Sequence, residues 1–320
     1  MSTPRTVSSP RPLIVRLCNM VGDVVLGLPA LHLLQSHGWD LHLYGKGWAP
    51  KLLAGECWPC TTRAGSLGER IAQLKSLRAQ CQAQDATFDQ RINTLVMPNS
   101  FSSAFEARWA GLRPAGYRGD GRSLLLRPAW RRDPPAHALE GFWGLACRLT
   151  GHRGTPPTHI QLKVSETDQA EADRLLAAQG LTPGFICIVP YAAGDVDGKD
   201  KRWPDFTAFT EALAQRTPQR IVTCPGPGEE DVAQAHPAAL ILPKLGLGTY
   251  LGVLKRAGLV VSNDTGPAHM AAAVGTPVLS VLGPTKPGQW RPWGPQNRIA
   301  TGSDGRLWPT VDEVLREVRA

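Results

Sequence analysis

Residues 262–284 read Ser-Asn-Asp-Thr-Gly-Pro-Ala-His-Met-Ala-Ala-Ala-Val-Gly-Thr-Pro-Val-Leu-Ser-Val-Leu-Gly-Pro. Just before them, Leu259-Val260-Val261 is an apolar, β-branched run that polar residues cut off sharply, the pattern of a short buried strand. Asp264-Thr265-Gly266 then turns the chain into a helix. Pro267 falls in its first turn, where a missing N–H is no loss, and Ala268 to Val274 continue it. Gly275-Thr276-Pro277 ends the helix, and Val278 to Leu282 form the next buried strand. A strand that passes through a glycine turn into a helix leaves several N–H groups unpaired at the helix start. Together with the helix dipole they suit an anion such as phosphate. Asp264 and His269 sit at the same end, so polar chemistry converges there. For any one of these residues the alternative is an ordinary crossover whose Gly and Pro only shape turns.

Outward from this stretch, composition sets the frame. A chain of 320 residues has room for two domains of ordinary size. Its 42% hydrophobic and 19% charged residues describe a folded chain. The 33 glycines and 28 prolines fit many short loops between alternating strands and helices. A net charge of +8 favours anionic partners: nucleic acid, an acidic lipid surface or a phosphorylated sugar. Without Cys/His zinc spacing or a basic–aromatic RNA signature, nucleic acid ranks last and no metal is expected.

Met1 to Pro12 is polar and lacks the apolar core of a signal peptide, and no run of 18 apolar residues is long enough to span a bilayer. The seven cysteines, Cys18, Cys147, Cys187 and Cys224 among them, are scattered through strand-like and helix-like segments. Reduced thiols in a cytoplasmic protein account for that distribution. Cys57-Trp-Pro-Cys60 has thioredoxin-like spacing but no strand before it, and reads as a loop with two incidental cysteines.

Two α/β halves follow one another. In the first, strand-like Leu13–Leu17, Leu41–Tyr44 and Asn93–Met97 alternate with helical segments at Val24–Gln35, Lys51–Leu53, Glu69–Gln82, Ser103–Ala110 and Leu139–Thr150. A Pro/Gly-rich interval, Gly151–Pro157, precedes a polar helix, Ser165–Gln179. The pattern then restarts with strand Phe185–Val189, helix Phe206–Gln215, strand Arg220–Thr223 and helix Tyr250–Ala257. Such alternation predicts two doubly wound parallel sheets facing each other across a cleft. Gly22-Asp23, between the first strand and helix, would build the far wall of that cleft, where an Asp can cap the helix or act as a base.

Asp264-Thr-Gly-Pro-Ala-His269, then Gly-Thr-Pro and Leu-Gly-Pro-Thr-Lys-Pro, resembles the donor-binding signature of glycosyltransferase family 9, the heptosyltransferases. Val21-Gly-Asp-Val-Val-Leu-Gly-Leu-Pro-Ala-Leu31 resembles the family's N-terminal signature, and Lys201-Arg-Trp-Pro204 its Lys-Arg-Trp-Pro element. Met97-Pro-Asn-Ser-Phe101 is similar to an element of the lipopolysaccharide heptosyltransferase II branch, and Gly116-Tyr117-Arg118, Arg122 and His137 follow in the family's order.

The resemblance implies a GT-B fold of two Rossmann-like domains: residues 1–165 binding the acceptor, 166–305 binding the nucleotide sugar, and 306–320 forming a helix that crosses back to the first domain. It implies a cytoplasmic, inverting, metal-independent enzyme without cofactor. Such an enzyme would move heptose from ADP-heptose to the inner core of lipopolysaccharide, with peripheral contact at the inner membrane. Asp23 would be the general base and Lys201 would offset the charge of the departing diphosphate. Asp264, Thr265, Gly266, Pro267 and His269 would hold the donor, with Glu229 near its ribose. Gly22, Asn99, Ser100, Arg118 and Arg122 would face the acceptor, the arginines suiting its phosphates or carboxylates. The chain departs from the family at Ser102, where a basic residue is usual, and at Pro190-Tyr191-Ala-Ala-Gly194, after which the loop to Lys201 is longer. Two other readings stay open: the same fold serving another nucleotide sugar or a protein or O-antigen acceptor, and a non-catalytic sugar-nucleotide-binding protein.

Overall fold

The computed structural model describes residues 11–134 and 137–319; the polar segment before residue 11, read above as lacking a signal-peptide core, lies outside them. The first half forms a six-stranded sheet from β1 (Arg11–Arg16), β2 (Trp39–Gly45), β3 (Cys60–Thr62), β4 (Thr94–Val96), β5 (Pro114–Tyr117) and β6 (Ala129–Trp130). Its helices are α1 (Val21–Ser36), α2 (Ala49–Leu52), α3 (Leu67–Gln84), α4 (Phe101–Trp109) and α5 (Ala138–Thr150). The second half carries α6 (Glu166–Ala178), α7 (Phe206–Ala214), α8 (Glu230–Gln234), α9 (Leu247–Arg256), α10 (Gly266–Ala273), α11 (Pro287–Trp290) and α12 (Val311–Arg319). Its six-stranded sheet contains β7 (Ile186–Val189), β10 (Ile221–Thr223), β11 (Leu240–Ile241), β12 (Leu259–Ser262), β13 (Val278–Leu282) and β14 (Arg298–Thr301). A small antiparallel hairpin, β8 (Asp195–Val196) and β9 (Lys199–Asp200), stands apart from it.

Every pairing within the two large sheets is parallel. Their strand orders are β3-β2-β1-β4-β5-β6 and β11-β10-β7-β12-β13-β14, the same winding twice. Parallel strands covered on both faces carry near-continuous apolar runs at their centres; Leu13, Ile14 and Val15 are fully buried in succession. In this topology the winding reverses direction beside the first strand of each sheet, between β1 and β4 and between β7 and β12. Loops leaving the carboxyl ends of those strands diverge there and leave a crevice. The α/β, GT-B-type architecture read from the sequence is therefore the one observed.

One apolar core joins the two halves: Leu26 and Leu31 of α1, Leu145 of α5, Leu251 of α9 and Met270 of α10 share a single cluster. The outer faces of the two sheets have their own clusters. The last helix corrects an expectation. Val314 and Leu315 of α12 are buried with Phe206, Phe209 and Leu213, so α12 stays on the outer face of the second sheet instead of returning to the first domain. Its amphipathic stripe finds the nearer uncovered sheet.

Candidate active site

The first turns of helices α1 and α10 meet at the cleft. A methyl group on Gly22 would fall 2.9 Å from His269 Cδ2, and one on Gly266 would fall 3.2 Å from Val21 Cβ, so each helix has a glycine in its first turn where the halves touch. Met20 and Thr265 occupy the two N-cap positions, and neither helix has a side-chain cap. The first-turn N–H groups of both are left for something else to satisfy. The two positive dipole ends converge on one cavity of about 650 Å³. Gly22 and Asp23 line it from the first domain; Lys201, Asp264, Thr265, Gly266, Pro267 and His269 line it from the second. The residues that the sequence groups as base, cation and donor-binding turn thus share one space.

Asp23 occupies the third position of α1 and its side chain makes no hydrogen bond among the described residues, so no capping role is seen for it. Burial pushes its carboxyl above the ordinary range, and the guanidinium of Arg132 works against that shift. Arg132, which the sequence reading passes over, also lines an adjoining cavity of about 330 Å³ that shares Gln289 and Trp290 with the larger one. Asp23 lines the larger cavity and Arg132 the smaller, and a half-buried carboxyl with a raised pKa is chemically able to accept a proton.

On the opposite wall Lys201 Nζ lies 3.3 Å from Asp264 Oδ2, and the same oxygen accepts a 2.8 Å hydrogen bond from Thr285 Oγ1. The sequence separation of 63 between Lys201 and Asp264 is spanned because β12 lies beside β7 in the sheet. Asn263, fully buried, fixes this register. Its Nδ2 donates to Pro190 O at 2.7 Å and its Oδ1 accepts from the Trp203 N–H at 3.1 Å, pinning both ends of the segment that carries Lys201. Trp203 is buried and donates from its indole to Pro309 O. The longer loop of the sequence reading is the hairpin β8–β9. Its Asp197-Gly198 turn has φ of 51° and 73°, the two left-handed residues a tight two-residue hairpin requires. Val196 and Asp197 line the cavity, and Asp195-Val196-Asp197 is an Asp-x-Asp triplet, which corrects the expectation of a chain without that motif on which metal independence partly rests. Among the described residues no group of three or more His, Cys, Asp or Glu could hold a metal ion.

His269 is buried, and burial together with the nearby His137 and Lys201 pushes its pKa down to about 4 against the opposing pull of Asp264. At neutral pH it is an uncharged imidazole at the base of the cleft. Lys286, which entered the sequence reading only within a motif, adds a second cation to the cavity wall.

Other predicted positions fall elsewhere. Arg122 is 3% exposed, donating to Pro98 O at 2.9 Å and Asn99 Oδ1 at 2.8 Å. It clamps the loop after β4 and does not face an acceptor, which corrects the role expected for it. Ser100 caps α4, its Oγ accepting from the Ser103 N–H. Asn99 and Arg118 are exposed and line none of the cavities described here. Glu229 accepts from the Gly226 N–H at 2.8 Å, closing its own turn outside the 650 Å³ cavity. Tyr191 turns inward, its hydroxyl 2.8 Å from Thr223 Oγ1, so the altered Pro190-Tyr191 loop is anchored from below. Arg122→Ala is expected to cost about 1–3 kcal/mol of stability through the acceptors it strands. Urea denaturation checks this; unchanged stability with a raised acceptor KM would return Arg122 to the ligand.

Comparison with known proteins agrees with this geometry. The family model for glycosyltransferase family 9 (heptosyltransferase) matches residues 78–313, so Asp23 lies ahead of the matched segment. Lipooligosaccharide heptosyltransferase 2 of Haemophilus influenzae is 29% identical over 261 residues, covering 76% of this chain and 72% of that protein. The solved structure of E. coli ADP-heptose LPS heptosyltransferase II superposes with a TM-score of 0.77 at 22% identity, covering 96% of this chain and 97% of that one. E. coli heptosyltransferase WaaC with ADP gives a TM-score of 0.71, also at 22% identity, over 96% and 99% of the two chains. With two parallel, doubly wound sheets and a family match over most of its length, this chain is a glycosyltransferase and belongs to family 9, the heptosyltransferases.

Proposed function

We propose that the chain transfers heptose from ADP-heptose to the inner core of lipopolysaccharide by a single in-line displacement with inversion, without a metal ion. One observation carries the reading: a carboxylate with a raised pKa, in the first turn of α1, shares a single cavity with the N-terminus of α10 and two lysines. The helix ends and Lys201 take the diphosphate of the donor, and Lys286 adds to their field. Asp23 deprotonates the acceptor hydroxyl, while Arg132 meets an anionic group of the acceptor in the smaller cavity. As the glycosidic bond breaks, the nucleoside diphosphate gains charge, which the waiting cations offset. The ADP donor is supported by the relatives whose names carry it. We divide the chain at residues 165 and 305, with the final segment kept on the second domain. No helix of the described residues is long and apolar enough to cross a membrane. Contact with the inner membrane is thus proposed to be peripheral, from the cytoplasmic side.

Binding to the folded state alone raises the melting temperature, so ADP is expected to stabilise the protein, and a chelator is expected to leave that effect intact. Thermal shift assays with ADP, UDP and GDP, with and without EDTA, check both points. Stabilisation by UDP or GDP and none by ADP would favour another nucleotide sugar. Loss of the ADP effect in EDTA would point to a metal, with Asp195 and Asp197 as the first residues to test.

A further inference from the structure

Helix α4 is built inside out. Its small residues, Ala104 and Ala107, are buried against the sheet, while its large aromatics face away from it. Phe101, Phe105 and Trp109, four residues apart, stack along one outer face with ring centroids 6.2 and 5.2 Å apart. Phe101 is 48% and Trp109 65% exposed, and Leu124, on the short helical turn packed beside α4, is 85% exposed. An aromatic side chain left in water forgoes the largest apolar burial available to any residue, and a contiguous row of them marks a contact surface.

This ridge has a basic end. Arg108 and Leu125, the neighbours of Trp109 and Leu124 in sequence, line a cavity of about 530 Å³ together with Arg91, Arg113 and Arg127. Arg91 is paired with Asp85, but among the described residues Arg108, Arg113 and Arg127 form no salt bridge. The cavity opens at the amino ends of β4 and β5, away from the crevice at their carboxyl ends, so the reaction described above does not use it.

We propose that this face is a membrane-docking surface: Phe101, Trp109 and Leu124 enter the interfacial zone of an anionic bilayer while Arg108, Arg113 and Arg127 take lipid phosphates. Tryptophan beside arginine is the pairing suited to that zone, with its apolar body buried and its charge kept among headgroups. A second copy of the chain fits less well. A two-fold contact through this patch brings the same unpaired arginines of both copies together, on a chain that already carries +8. The inference deepens the proposed peripheral contact. It gives that contact a position on the acceptor domain, with the ridge running from the loop after β4 down to the basic cavity.

Flotation with vesicles of phosphatidylethanolamine and phosphatidylglycerol, at about three to one, tests it without donor or acceptor. Trp109→Ser with Leu124→Ser, and separately Arg108→Gln with Arg127→Gln, are expected to weaken binding about tenfold or more. Wild type is expected to bind vesicles of phosphatidylcholine alone far less. Trp109→Phe is expected to restore most of what Trp109→Ser loses. Turnover on a water-soluble, delipidated acceptor should be the same in wild type and in every variant, which shows that they fold. Wild type without turnover overturns the transferase reading alone, whereas flotation, read on variants that melt as wild type does, fails only if the surface is misassigned. Equal binding by wild type and variants, or by neutral and anionic vesicles, overturns the proposal. So does a wild-type dimer that the ridge substitutions dissociate without changing vesicle binding.

Discussion

Asp23→Asn is expected to lower kcat by two to four orders of magnitude, the range that loss of a positioned general base commands. Its side chain is the same size and keeps the place at the start of α1, so ADP should bind with nearly unchanged affinity. The sign of the stability change separates the base from a structural aspartate. Burial raises the Asp23 pKa above its unfolded value. The folded state therefore holds the proton more tightly, and stability is lost as pH rises through the folded pKa. Above that pKa the ionised carboxylate is a cost that Asn removes, so the variant should melt no lower than wild type at neutral pH. Activity runs the other way: wild-type kcat/KM should fall as pH drops through the raised pKa, above the ordinary aspartate value of about 4. The residual rate of the variant should not follow that limb. A variant that turns over at wild-type rate would remove Asp23 from the chemistry.

Lys201→Ala is expected to lower kcat about 100- to 1000-fold with saturating acceptor, the cost of deleting one preorganised charge partner from a transition state. Because Lys201 sits 3.3 Å from Asp264, its removal does a second thing. It leaves a carboxylate unpaired in the space meant for a diphosphate, so the donor KM should rise as well. Adding Asp264→Asn should recover donor binding and leave kcat low. Steady-state kinetics of the two single variants and the double variant separate the terms. Should Lys201→Ala keep its kcat and lose only donor affinity, the lysine binds the ground state alone and the leaving group is stabilised elsewhere, with Lys286 the first candidate.

Much of this architecture could be read from the chain because parallel strands and their helices announce themselves locally. Short β-branched runs such as Leu259–Val261 stop at polar turns, and helix starts carry glycine or proline where they need them. Facts that depend on distant pairing could not be read in that way. Lys201 and Asp264 are joined only by the adjacency of β7 and β12. Asn263, near the start of the best-read stretch, gives no sign of its ties to Pro190 and Trp203, since an asparagine in a turn looks the same whether or not it is buried. Arg122 was misread for the opposite reason: a guanidinium is assumed to seek solvent or ligand, but here carbonyl and amide oxygens satisfy it internally. An amphipathic helix such as α12 records that it covers something and not which sheet. The hairpin carried its own signal in Asp197-Gly198, hidden because the segment is too short to show strand alternation.

The near contact of α1 and α10 sets the gauge of the cleft. There the backbone of Gly22 lies against the ring of His269, and a methyl on Gly22 would come 2.9 Å from its Cδ2. Packing that close leaves no slack, so a shim one methyl thick would have to displace the ring or the helix by about a few tenths of an ångström. Both sheets would stay intact while the spacing of Asp23 and Lys201 across the cavity was reset.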